Sequence, residues 1–196
     1  EKLDNTLIEE FTDALSCLAG QLVTISEGFS EDYYRLLEEL KEASNYAHRL
    51  GKKIYVTVNI VFHDENLSGL EEYLKYLDSI KIDGIIASDI IVIKMCQDFN
   101  LGLNVCLSTQ ASTLNSRAVK FWQKLGVTRV VLAREASRQD LINIAKTGIE
   151  IETFIHGAMC TSFSGKCVLS NYMTNRDSNR GGCAQICRWE FTSQDK

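Results

Sequence analysis

The chain has 196 residues, 45% of them hydrophobic and 24% charged, with a net charge of −5. That apolar content is enough for one buried core and excludes disorder as the general state. No apolar run approaches the roughly 18 residues of a membrane helix, and the most apolar stretch, 85–95, is broken by Ser88, Asp89 and Lys94.

Helical and strand-like segments alternate. Residues 5–12 read as a helix and 14–20 as a short buried strand. Ser30 precedes an acidic first turn, and a helix is expected to about Leu50, with Tyr34, Leu37, Leu40, Ala43 and Ala47 on its apolar face and Gly51 as its stop. Residues 53–61 (KIYVTVNIV) are β-branched and strand-like. A helix over 67–80 and a strand over 84–87 follow, then a helix over 90–99 halted by Asn100 and Gly102. Next come a strand over 103–107, a helix over 115–125 ended by Gly126, a strand over 129–132, a helix over 138–147 and a strand over 149–155. Proline is absent where average composition gives about ten, so Gly, Asn, Asp and Ser carry the turns.

Strands alternating with helices at this spacing predict βα units on a parallel sheet. A complete (β/α)₈ barrel takes about 250 residues, and six or seven strands are expected here. The expected fold is therefore α/β: a partial (β/α) TIM-like barrel core over 1–155, with a C-terminal cysteine-rich cluster loop over 156–196. A doubly wound open sheet is the rival, but no G-x-G-x-x-G follows any strand. The first residue is Glu rather than Met, so the natural start is expected upstream. No secretory apolar region lies near it.

Parallel α/β folds bind ligands at the C-terminal ends of their strands. Asn59, Ser88-Asp89, Ser108-Thr109-Gln110, Arg134-Glu135 and His156 all follow strands. Ser88, Asp89 and Thr109 suit helix capping. Gln110, Arg134 and His156 are poor caps and are candidates to line the mouth. Glu135 either joins them or pairs with Arg138. Glu152, four residues before His156, completes the candidate catalytic set. Charge is uneven: residues 1–113 carry nine Lys/Arg against nineteen Asp/Glu, whereas 114–189 carry eleven against five. An anion would meet the second half, unless the unevenness is ordinary solvated surface.

Seven cysteines divide into two groups. Cys17, Cys96 and Cys106 stand singly in apolar segments and read as buried hydrophobes. Cys160, Cys167, Cys183 and Cys187 follow the spacing C-x₆-C-x₁₅-C-x₃-C. Four such thiolates suit a cubane iron–sulfur cluster or a zinc ion. Zinc ribbons favour paired C-x₂-C knuckles, so a 4Fe-4S cluster is the preferred expectation and zinc the alternative. Gly157, Gly165, Gly181 and Gly182 let the backbone wrap a bulky group, and Lys166, Arg176, Arg180 and Arg188 offset its charge. A nucleophilic cysteine or buried thiols remain open. For a cysteine protease the chain offers Glu152, His156 and Cys160 at four-residue spacing, and it has no H-E-x-x-H.

The stretch E-T-F-I-H-G-A-M-C-x₄-G-x-C-x-L-S, residues 152–170, resembles the signature of peptidase family U32, the family named for collagenase-like proteases. The resemblance extends upstream through KKIYVTVNIVFH, DGIIASD, LSTQAS and GVTRVVLARE, and downstream through RGGCAQICRW. The family's first strand, with its Leu-Ala-Pro-Ala-Gly turn, and its later C-terminal region have no counterpart here. The resemblance therefore implies a barrel core truncated or diverged at both ends. Family members are RNA and quinone hydroxylation factors, acting on the tRNA wobble uridine, on a 23S rRNA cytidine or in oxygen-independent ubiquinone synthesis. The last group holds a 4Fe-4S cluster on four cysteines.

Carried to this chain, the resemblance implies Cys160, Cys167, Cys183 and Cys187 as cluster ligands, and a cytoplasmic iron–sulfur-dependent factor hydroxylating tRNA or rRNA. A second U32-type subunit is a further expected partner, and no membrane is expected. Trp189, beside Arg188, either stacks on a base or packs on the cluster loop. Proteolysis and a non-catalytic cluster-binding scaffold are the alternatives.

Overall fold

The structure, a computed structural model, describes residues 31–157 and 159–192. The helix expected over 5–12, the strand expected over 14–20 and Cys17 lie outside these residues. Helix α1 (Glu31–Arg49) buries Leu36, Leu40, Ser44 and Ala47 along one line. Two bonds to the next helical layer set that line: Tyr76 Oη donates to Leu37 O (2.6 Å) and Ser44 Oγ donates to Ile80 O (2.9 Å). Tyr34, expected on the apolar face, is consequently exposed and meets the Tyr33 ring edge-on. Gly51, at φ +66°, ends the helix, and the Lys52 N–H returns to Ala47 O (2.9 Å).

Strand β1 (Tyr55–Val58) is shorter than the sequence suggests. The Ile54 N–H is taken by the Asp83 carboxylate (2.9 Å), and Val61 N–H turns away to Asn179 O (2.9 Å). The single helix expected over 67–80 is a 3₁₀ turn (Asp64–Leu67) followed by α2 (Leu70–Ser79). Gly69, at φ +78°, breaks the two apart. Then come β2 (Gly84–Ala87), α3 (Ile90–Asp98), β3 (Asn104–Leu107), α4 (Ser116–Lys124), β4 (Val127–Val131), α5 (Arg138–Ala145), β5 (Glu150–Glu152) and α6 (Leu169–Thr174). Asp89, Asn115 and Ser137 cap α3, α4 and α5 through their side chains. Helix α6, inside the cysteine segment, has no counterpart among the expected elements.

The five described strands form one parallel sheet in the order β1-β2-β3-β4-β5. Six or seven were expected; among the described residues there are five. Their order never reverses, so this sheet lacks the switch point of a doubly wound fold. One face carries Val56, Val58, Ile85, Val105, Leu107 and Val130 into a core completed by Leu40, Leu74, Leu77 and Ile144. Each such buried side chain contributes about 1.5–3 kcal/mol.

The opposite face mixes Ile86, Cys106 and Val131 with polar and charged side chains. Gly84 lies in register between Tyr55 and Asn104, and a Cβ there would stand 2.8 Å from the Tyr55 ring and 2.3 Å from Asn104 O. Arg129 lies over the Tyr55 ring (5.0 Å) and pairs with Glu150 (2.7 Å) and Glu152 (3.7 Å). Neighbouring strands in register point their side chains the same way, which aligns Cys106, Arg129 and Glu150.

Candidate functional site at the strand ends

The C-terminal ends of β1, β2 and β3 are joined by side chains. Ser88 Oγ donates to Asn59 O (2.9 Å), and Asn59 Nδ2 donates to Ser108 Oγ (3.2 Å). Two expected caps are thereby corrected. Ser88 bridges strands, leaving the capping of α3 to Asp89. Ser108, rather than Thr109, caps the 3₁₀ turn Thr109–Ala111 by accepting from Gln110 N (3.2 Å).

The cysteine segment docks on this end of the sheet, and Ser164 is its hub. Buried to 1% exposure, Ser164 donates its N–H and its hydroxyl to Glu135 Oε1 (3.0 and 3.4 Å). Its Oγ accepts from Arg134 N (3.2 Å), and its carbonyl accepts from Ser112 Oγ. Arg134 also donates from Nη2 to Ser162 O (2.7 Å). Next in the chain, Gly165 (φ +70°) lies so close to the Gln110 backbone that a Cβ would fall 2.1 Å from Gln110 O. A second anchor lies further on, where Arg180 Nη2 donates to Glu65 Oε1 and Asn66 Oδ1 (both 2.9 Å).

Partial burial opposes ionisation of Glu135. Its backbone and Ser164 hydrogen bonds and the Arg134 charge outweigh this and hold the carboxyl below its ordinary range. Glu135 therefore engages the cysteine segment rather than Arg138. Gln110, Arg134 and Glu135 all touch that segment. Gln110 Oε1 is buried with no hydrogen-bond partner among the described residues. Glu152 and His156 are not drawn in: Glu152 pairs with Arg129 on the mixed sheet face, and His156 lies exposed in the loop after β5. Among the described residues no hydrogen bond links Glu152 to His156 or His156 to Cys160.

Cys160, Cys167, Cys183 and Cys187 line one cavity of about 280 Å³, beside the buried Ile186. Ser170 joins the cavity's two walls, its Oγ accepting from Ala184 N (3.0 Å) and donating to Gly182 O (3.5 Å). Asn179 Nδ2 (2.7 Å) and Ser178 Oγ (3.1 Å) donate to Cys167 O. Gln185, at φ +54°, points its N–H at Cys183 Sγ (3.4 Å). The Ser178 hydroxyl dipole, resisted by burial and reinforced by the Leu169 and Ser170 N–H groups, holds the Cys167 thiol below its usual range. Among the described residues no three His, Cys, Asp or Glu side chains form a ready-made site for a single ion. Ser164, Ser170 and Asn179 carry no signal in the sequence, because their partners lie 12 to 29 residues away, and Arg180, expected to offset cluster charge, is instead taken by Glu65, 115 residues away.

Cys96 and Cys106 are buried, and burial pushes both thiols up to about 11. Brief alkylation of metal-free protein near neutral pH should modify Cys160, Cys183 and Cys187 and spare Cys96 and Cys106. Peptide mass spectrometry reads the result. Equal labelling of Cys106 in the native state would contradict this burial.

The sequence profile described as Peptidase family U32 matches residues 32–196. The tRNA hydroxylation protein P1 of Bacillus subtilis (strain 168) is 52% identical over 79% of this chain and 37% of its own length. The tRNA hydroxylation protein P of Escherichia coli (strain K12) is 41% identical over 81% of the chain and 35% of its own. The chain thus spans little more than a third of the length of these curated relatives. A solved structure described as a U32 peptidase overlays 59% of the chain, and 51% of its own, at a TM-score of 0.51 and 15% identity. That last likeness concerns the fold.

Proposed function

The chain belongs to peptidase family U32, and from that premise we propose that it supports the hydroxylation of a base in tRNA or rRNA through an iron–sulfur cluster. The observation that carries the proposal is the convergence of four cysteines, 28 residues from first to last, on one cavity docked at the C-terminal end of a parallel sheet. The relatives named for tRNA hydroxylation supply the substrate class. In this reading the five βα units are an arc of a (β/α) barrel, residues 1–155 its core and 156–196 the cluster-bearing segment. The reaction would run in the cytoplasm, and a second U32-type subunit is a candidate partner.

The donor set fits the cluster. Soft thiolates suit iron–sulfur chemistry, and four of them lining one cavity match the four sulfurs such a cluster takes from a protein. A zinc ion, which gathers four sulfurs at about 2.3 Å around one point, is the alternative occupant of the same four thiols. Bound there, the cluster would supply one-electron redox chemistry at the strand ends. The chain's own contribution is positional. Glu135 and Arg134 fix the loop between Cys160 and Cys167 through Ser164 and Ser162. Gln110 holds an unpartnered acceptor beside that loop, and His156 offers an exposed donor or acceptor.

Proteolysis, which the family name suggests, would need Glu152, His156 and Cys160 to act together, and Glu152 instead lies 3.7 Å from Arg129. Nucleoside mass spectrometry of tRNA and rRNA from a deletion strain tests the proposal. The expected result is loss of one hydroxylated nucleoside with gelatin digestion unchanged. If every hydroxylated base persists while gelatin digestion disappears, the protease reading replaces this one.

A further inference from the structure

Around the cysteine cavity the surface is unusually rich in uncovered rings and aliphatic groups. Phe163 is 69% exposed, Val168 73%, Tyr172 83% and Trp189 52%. They are connected through the cavity wall. Val168 lines the cavity, and Tyr172 stands one helical turn further along α6, its N–H bonded to Val168 O (2.9 Å). Phe163 follows the cavity residue Ser162, and Trp189 lies two residues after Cys187. Helix α6 itself buries only Ser170. Its apolar side chains serve no core that the described residues contain, and an exposed apolar patch of this kind marks a contact surface.

Cations are interleaved with the rings. Lys166 lines the cavity, Arg188 reaches back to Met159 O (2.8 Å), and Arg176 follows α6. All three are exposed, and among the described residues none is in an ion pair. Of the nearby acids, Asp177 turns its carboxylate to Asn179 N (2.9 Å), which leaves Glu190. A purely protein-facing apolar patch needs no such cations. Alternating rings and unpaired cations are what a single-stranded nucleic acid requires: a π-face for each base and a positive charge for each phosphate.

We infer that this surface binds a single-stranded RNA segment, with Tyr172 and Trp189 stacking on bases and Lys166, Arg176 and Arg188 holding the backbone beside the cysteine cavity. The inference rests on the proposed RNA substrate and adds the surface that receives it. Rings set at the cavity rim would splay bases apart and present one of them to the cavity.

Fluorescence anisotropy of the full chain with a labelled oligouridylate tests it, across a salt series. Tyr172→Ala and Trp189→Ala should each weaken binding about tenfold, and Tyr172→Ala, at an 83% exposed position, should do so without shifting the thermal midpoint. Lys166→Gln should lower the slope of log affinity against log salt by about 0.7, the share of one phosphate on a single strand. A change of slope is something a merely structural role would not produce. Equal binding by wild type and all variants overturns the surface. So does absence of RNA binding together with self-association that Trp189→Ala abolishes, which would make it a protein interface. Nucleoside analysis separates the two claims. If deletion removes a hydroxylated base but the variants bind oligouridylate normally, the surface fails and the function stands. If the variants lose oligouridylate binding while no hydroxylated base depends on the protein, the surface stands and the function fails.

Discussion

Cys167→Ala or Cys183→Ala protein, purified and reconstituted without oxygen, should fall from about four irons per chain to below one and lose its brown colour. Both residues line the cavity, in two segments of the chain that Ser170 joins. Removing either leaves three thiolates where four would hold the cube. The backbone is built around these two positions: Cys167 O is held by Asn179 and Ser178, and Cys183 Sγ receives the Gln185 N–H. Such N–H groups stabilise a charged sulfur. Cys96→Ala and Cys106→Ala should leave iron and sulfide content unchanged, because both side chains are buried in or under the sheet layer and absent from the cavity. Iron, sulfide and zinc analysis of the wild type and the four variants, with absorbance near 400 nm, decides the matter. Stoichiometric zinc in a colourless wild-type protein refutes the cluster, and iron content that survives both cavity substitutions refutes these two cysteines as its ligands.

Gly165→Ala should release the cysteine segment while leaving the sheet folded. The added Cβ would fall 2.1 Å from Gln110 O and 3.0 Å from Gln110 Cα. These are backbone atoms that cannot rotate aside, so the two loops must separate. The left-handed φ of +70° adds about 1–2 kcal/mol for any L side chain. Separation then removes the Ser164 bonds to Glu135, Arg134 and Ser112, at about 1 kcal/mol each. Tryptic cleavage at Lys166 should accelerate more than tenfold, with far-ultraviolet circular dichroism nearly unchanged. Gly51→Ala is the control. It has φ +66° and nothing within 4 Å of its Cβ, so it carries the conformational cost without the collision. If the two variants are cleaved at the same rate, close packing of Gly165 on Gln110 does not hold the segment in place.

Much of the architecture was legible in the order of residues. The run GIIA between an Asp and a Ser-Asp pair became β2 with unchanged bounds, and Asp89 capped the helix it precedes. Periodicity and capping are local signals, settled by neighbours within four residues. The cysteine spacing likewise singled out the four residues that share the cavity. Local signals failed where a distant partner won the competition. Ser88 looked like a cap and was taken by Asn59 O, the strand expected from Lys53 started later because Asp83 claimed Ile54 N–H, and Tyr34 lost its apolar face when Tyr76 and Ser44 rotated α1 against α2.

By itself the sequence determined the βα alternation, the capped helices, the four-cysteine set and the family signature, since each is written in residues close together in the chain. Only the tertiary structure decided that Glu135 and Arg134 clamp the cysteine loop, that Glu152 belongs to Arg129, and that the rings of α6 stay uncovered beside the cavity. Those outcomes depend on which hydrogen-bonding group or surface arrives across tens of residues, and a side chain with several available partners carries no mark of which one will reach it.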